Sequence, residues 1–210
     1  MQEDKDMQIA NLIMALPGAA AQGLIWGIMA IGVYLTFRVL DIADLTVDGT
    51  MCTGGAVCVM MMTSGHNVWV SLLVATLAGM TAGLVTGIFH TFMGIPAILA
   101  GILTQLSLYS INLKIMGKAN QAINVDNFNL LVSLRRVKGV ALTQNTLFIV
   151  AIMIIILIAV LYWFFGTELG CSLRATGCNP SMSRAQGINT DRNKVLGLML
   201  SNGLVALSGA

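Results

Sequence analysis

Apolar residues in this chain fall into long unbroken blocks separated by short polar stretches. Five blocks can be drawn, at residues 12–37, 46–63, 68–93, 95–116 and 146–165. The first holds no charged residue, and its 26 residues at about 1.5 Å each reach about 39 Å, enough to cross a hydrocarbon core of about 30 Å with tilt. Such a run is too long for a signal-peptide core. The residues before it carry Glu3, Asp4 and Asp6 against Lys5, the reverse of a secretory leader. The pattern predicts an all-α polytopic membrane protein with about five transmembrane helices plus a truncated sixth, forming one domain over residues 1–210.

The blocks are not equivalent. The second is short, follows Asp41-Ile-Ala-Asp44-Leu-Thr-Val-Asp48-Gly49 and contains Gly54-Gly55. It reads as a broken or partly re-entrant helix, which is tolerated at membrane depth only where protein or a water-filled cavity surrounds it. The third carries Gly79, Gly83 and Gly87, which stack on one helical face and let another helix approach closely. The sixth helix is expected to begin after Thr190 as N-cap, with Asp191 in its first turn. Its apolar part, from Val195 to Ala210, is short for a span, and the sequence is expected to be cut inside this helix.

Between the fifth and sixth blocks lies a polar, glycine-punctuated segment, residues 168–194. Asn179 suits an N-cap, Pro180 the first helical position and Gly187 the left-handed residue after the last turn. The two turns between them, 180–186, are too short to persist in water unless flanking segments and a partner surface hold them. A second polar stretch, 117–145, carries Lys118, Arg135, Arg136 and Lys138 against Asp126 and is expected to be the longest extramembrane loop. An acidic N-terminus outside, Arg38 inside and five crossings place 168–194 in the cytoplasm, although both loops are basic.

Composition supports the membrane reading and narrows the chemistry. The chain is 57% hydrophobic and 10% charged, with a mean hydropathy of +0.85, against about 25% charged residues in soluble domains. A net charge of +2 is too small to indicate nucleic acid, and the bases report topology instead. Cys52, Cys58, Cys171 and Cys178 form no CxxC pair, and His66 and His90 are near none of them. All four are expected to be small packing residues, with no metal site. No GxxxxGK[ST] loop, GxSxG elbow or HExxH helix occurs, so catalysis and nucleotide binding by this chain are not expected.

Asp41, Asp44 and Asp48 are the most unusual charges, because acids beside a membrane segment are costly without compensation. Two readings stand: a pathway or binding site at a helix break that includes Gly49, Gly54 and Gly55, or an interfacial turn in which Asp44 or Asp48 caps the following helix.

The stretch Gly170-Cys-Ser-Leu-Arg174-Ala175-Thr-Gly177-Cys-Asn179-Pro180, followed by Arg184-Ala-Gln-Gly187-Ile188-Asn189, resembles the cytoplasmic coupling loop of bacterial ABC importer permeases of the branched-chain amino acid and ribose permease family. A second match, Phe37-Arg-Val-Leu-Asp41-Ile-Ala-Asp44-Leu-Thr-Val-Asp48-Gly49-Thr with Gly54-Gly55-Ala56, resembles the branch associated with tryptophan- and tyrosine-type uptake. The resemblance implies a permease subunit in the bacterial inner membrane, without cofactor. It implies as partners a second permease copy, an ATP-binding cassette subunit and an extracytoplasmic substrate-binding lipoprotein. Residues 174–188 would sit on the ATPase, with Arg174 and Arg184 touching it and Gly177 and Gly187 turning the chain at either end. Permeases of this family normally continue for several helices past this loop. The competing class is a membrane adaptor whose loop binds a cytosolic partner without passing solute. The polar break around residues 41–55 favours a pathway, since an anchor has no use for it.

Overall fold

The computed structural model describes residues 2–118, 120–121 and 146–210. Among them only helices occur. They are α1 (Gln2–Tyr34), α2 (Val47–Thr63), α3 (Val68–Thr91), α4 (Ala97–Met116), α5 (Thr146–Gly166), α6 (Glu168–Cys178), α7 (Pro180–Ala185) and α8 (Thr190–Gly209), with a π-helical turn at Leu35–Val39 closing α1. Most of the 117–145 stretch, including Asp126, Arg135, Arg136 and Lys138, lies outside the described residues.

Among the described residues, four helical stretches are long and apolar enough to cross a bilayer: Gly18–Val39, Val68–Thr91, Ala97–Met116 and Leu147–Gly166. The other two expected crossings differ from these. α2 has 17 residues, about 26 Å at 1.5 Å each, and α8 opens on Asp191, Arg192 and Lys194. Both are the helices that neighbours enclose, so neither needs a fully apolar surface.

The helices are sorted inside out relative to a soluble domain. Ile155, Ile156, Trp163 and Tyr162 of α5 and Leu103, Leu106 and Tyr109 of α4 are exposed. The interior is built from small and hydroxyl residues, among them Ala75, Ala82, Ala100, Thr50, Thr86 and Ser201. Lipid removes any hydrophobic gain from hiding Leu or Ile, so close packing of small side chains brings the helices together. α8 is the centre of this packing, lying along α3 and also touching α1, α2 and α6.

Gly79, Gly83 and Gly87 face α8 as the four-residue spacing predicts, against Asn202, Leu198 and Val195 respectively. Gly54 and Gly55 do not break their helix. α2 runs unbroken through them, and they admit the backbone of α8 at Ala206 and Gly209. The break lies earlier, at residues 40–46, between the π turn and α2.

The ends of the long helices sort to two sides of the bundle. Residues 40–43, His90, Pro96–Ile98, Gly177–Cys178, Pro180 and Lys194 line one groove of about 390 Å³ at one end of the bundle. Met62, Val68, Val150, Met153 and Leu207 meet at the other end. The break, the α3–α4 turn and the 168–194 segment therefore share one side.

Candidate functional site

The 168–194 segment is more helical than its sequence implies. Residues 168–178 form α6 rather than loop, opened by Thr167, whose hydroxyl accepts the Gly170 N–H at 3.4 Å. Arg174 is exposed and donates to the Phe165 carbonyl at 2.8 Å, satisfying one of the unpaired carbonyls at the end of α5. On the inner face of α6, Leu173 packs with Leu40, Ile42 and Leu198, and Thr176 accepts from the Asn193 amide at 2.9 Å. Gly170 lies against the backbone of Phe164 and Phe165, and Gly177 against the Val39 carbonyl. Gly177 thus serves close packing within α6, and the expected sharp turn falls at Asn179 (φ −155°, ψ 96°).

The short helix itself is as the sequence suggests. Asn179 caps α7 by accepting the Met182 N–H at 3.1 Å, Pro180 occupies its first turn, and Gly187 leaves it at φ +83°. From Cys178 to Gly187 every residue except Ser183 is exposed, including the apolar Met182. Ala175 and Ile188 are half-buried at the two flanks. Arg184 turns back onto α8, donating to Thr190 Oγ1 at 2.7 Å and pairing with Asp191 at 3.0 Å. The N-cap of α8 is Asn189, which accepts the Arg192 N–H at 3.1 Å, and Thr190 is the first helical residue instead of the cap. Asn189 wins because its side chain reaches the orphan N–H from the non-helical position.

The break holds the second group of residues. Leu40 and Ile42 are buried while Asp41 between them is exposed in the left-handed region at φ 55°. The three acids separate in role. Asp48 is exposed in the first turn of α2, where a negative charge suits the helix dipole. Asp44 is half-buried and accepts the Thr46 N–H at 2.8 Å with one oxygen and the Asn202 amide at 2.7 Å with the other. Asn202 is fully buried and accepts from Thr50 Oγ1 at 2.7 Å while donating to the Leu198 carbonyl at 3.0 Å. Beside it, the Thr46 and Thr86 hydroxyls lie 3.0 Å apart, and Thr86 reaches Thr104 at 3.0 Å. Gly49 lets α4 approach at Gln105 and Leu108.

The sequence drew attention to the acids and glycines of the break but not to Asn202, Thr50, Thr86 and Thr104, which join it to α8, α2, α3 and α4. Their signal is an amide or hydroxyl interrupting an apolar helix. The cysteines also divide differently from expectation. Cys58 is buried, whereas Cys52, Cys171 and Cys178 are exposed and do not pack in the interior. Among the described residues no three His, Cys, Asp or Glu side chains gather as a metal site would require.

Lipid-facing helices around a polar, hydroxyl-rich interior, with a short exposed helix tied to the central one, define a multi-pass membrane protein. Residues 16–210 match the model of the family described as branched-chain amino acid transport system / permease component. The chain belongs to that family.

It is 42% identical over 90% of its length to a tyrosine transport system permease protein of Clostridioides difficile, covering 61% of that relative. It is 35% identical over 91% of its length to an uncharacterised protein of Rickettsia prowazekii, covering 65% of it. A fructose import permease protein of Bifidobacterium longum is 27% identical over 79% of the chain and 46% of its own length. The chain thus spans less than two thirds of these relatives. No solved structure matches it.

Proposed function

We propose that the chain forms the transmembrane pathway subunit of an ATP-driven importer of a small amino acid, with an aromatic side chain favoured. The observation that carries this reading is α7: an exposed, doubly capped two-turn helix, clamped through Arg184 to the first turn of the most central membrane helix. A helix this short is not stable alone, and such a clamp suits a contact through which a separate subunit moves α8. Family membership supports the permease role, and the likeness to a tyrosine permease supports the solute class.

In this reading Gly170, Arg174, Ala175, Gly177, Asn179, Pro180, Arg184, Gly187 and Ile188 shape the docking segment on the cytoplasmic side. Asp41, Asp44, Asp48 and Gly49, with Gly54 and Gly55 at the α8 contact, form the pathway-side break. An ATP-binding cassette subunit docks on α7, a second copy of the permease completes the path, and a substrate-binding lipoprotein delivers solute from the opposite face of the bacterial inner membrane. The chain is tested by co-purification: the permease should bring down an ATP-binding subunit, and removing residues 179–187 should abolish both that association and solute-stimulated ATP hydrolysis. Unchanged stimulation after the deletion would sink the assignment.

A further inference from the structure

Polar contacts to other segments hold α8 at two levels, its first turn and the region of Ser201 and Asn202, where Ser201 also donates to the Gly32 carbonyl of α1 at 2.6 Å. The first turn of α8 is tied to the docking segment by Arg184–Thr190 at 2.7 Å, Arg184–Asp191 at 3.0 Å and Asn193–Thr176 at 2.9 Å. Farther along, Asn202 is tied to the break by Asp44 at 2.7 Å and to α2 by Thr50 at 2.7 Å. The two ties are about 14–18 Å apart along a helix rising about 1.5 Å per residue. Between them α8 has no break, and its backbone beds on Gly83 and Gly87 of α3.

Packing alone does not call for an amide at position 202. A fully buried Asn must have its donors and acceptors met, and here one amide meets a carboxylate on the break, a hydroxyl on α2 and a carbonyl of its own helix. Hydrogen bonds to an ionised group are shorter and stronger than neutral ones. The break lies outside both flanking helices at residues 40–46, and Asp41 within it is left-handed. A displacement of α8 therefore meets a non-helical segment gripped by a strong, directional contact.

We infer that Asp44 and Asn202 are positioning residues that transmit movement of the docking segment, through α8, to the break between α1 and α2. The inference deepens the proposed function and rests on α7 being the docking piece. Asn202 sets where Asp44 stands, and Asp44 through the Thr46 N–H sets where α2 begins. A shift of α8 then reshapes the groove lined by residues 40–43, whose Ala43 is half-buried.

The test uses the full-length permease with its ATP-binding subunit in membrane vesicles. Ala43→Cys is introduced after Cys52, Cys58, Cys171 and Cys178 are replaced by Ser, and its modification rate by N-ethylmaleimide is compared with and without ATP plus vanadate. The two rates should differ by about tenfold, within the usual range of coupling between sites. Asn202→Asp, which keeps the side-chain size but sets two carboxylates against each other, should erase the difference while the ATP-binding subunit still co-purifies. Adding Asp44→Asn restores a donor–acceptor pair with the charge exchanged, though not the bond to the Leu198 carbonyl, and should recover part of the difference, which a lesion in packing would not.

A nucleotide-dependent difference that survives Asn202→Asp overturns the inference, as does failure of the exchanged pair to recover any of it. So does a parent protein whose two rates agree although the subunit is bound. Failure of the parent to retain the subunit defeats the docking assignment itself, and the inference with it.

Discussion

Gly83 of α3 faces the backbone of α8 at Met199 so closely that a β-carbon there would lie 2.9 Å from the Met199 α-carbon and would overlap the Leu198 carbonyl. The contact is backbone to backbone, so no side-chain rotation can relieve it. Gly79 meets the Asn202 carbonyl and the Ala206 β-carbon, neither of which can rotate away. These positions set the spacing of the interface on which α8 depends.

Gly83→Ala should therefore force the helices apart, costing about 1–3 kcal/mol as overpacking does, and should lower the thermal midpoint of the detergent-purified protein. Gly23→Ala is the control: nothing lies within 4 Å of a β-carbon there, and Ala is favoured over Gly in a helix by about 0.5–1 kcal/mol. Equal midpoints for the two variants would contradict the packing of α8 on α3.

Gly187→Ala addresses the exit from α7. At φ +83° a β-carbon meets the following carbonyl, at a cost of about 1–2 kcal/mol, although the site is open to solvent. Gly187→Asn should cost less, because Asn tolerates left-handed backbone better. The order Gly, Asn, Ala should appear in retention of the ATP-binding subunit during purification, with overall fold unchanged by circular dichroism. Equal retention by all three would show that the turn does not shape the docking surface.

How far the sequence revealed this arrangement depended on the range of the interactions. Local rules placed α7 closely, since an N-cap, a proline and a left-handed glycine act within a few residues of Asn179, Pro180 and Gly187. The stripe Gly79, Gly83, Gly87 likewise announced a close helix contact, though not that α8 would fill it. What failed was long-range. Gly54-Gly55 looked like a break because glycine disfavours helix, yet α2 continues because α8 needs that space. Residues 168–178 looked like loop because they are polar and glycine-rich, but Leu173 and Thr176 give them a buried face and Thr167 a cap. Asn202 pairs with Asp44 across 158 residues of chain, and nothing local to either residue names the other.

Arg184 and Asp191 are each about half exposed, at 59% and 50%. Their ion pair alone should contribute only about 0.2–1 kcal/mol, screened by salt. A double-mutant cycle of Arg184→Ala and Asp191→Ala on thermal unfolding should return a coupling in that range that shrinks in high salt. The Arg184 single variant should cost more than the Asp191 one, because it also leaves the buried Thr190 hydroxyl without its 2.7 Å partner. Equal single costs would mean that the Thr190 contact does not stabilise the junction.

Cysteine reactivity can test both packing and orientation at once. Cys171 and Cys178 are exposed on α6, at the end of the bundle that carries α7, whereas Cys58 is buried near the opposite end among Met62 and Ala75. A membrane-impermeant maleimide should modify Cys171 and Cys178 in inside-out vesicles and leave them untouched in intact spheroplasts, while Cys58 reacts only after denaturation. Variants retaining one cysteine at a time distinguish the sites, and mass shifts on digestion give the extent at each. Modification of Cys178 from outside intact cells would place α7 on the wrong face for an ATP-binding subunit and overturn the docking assignment. Rapid reaction of Cys58 in folded protein would instead contradict the close packing of α2 on α3, leaving orientation untouched.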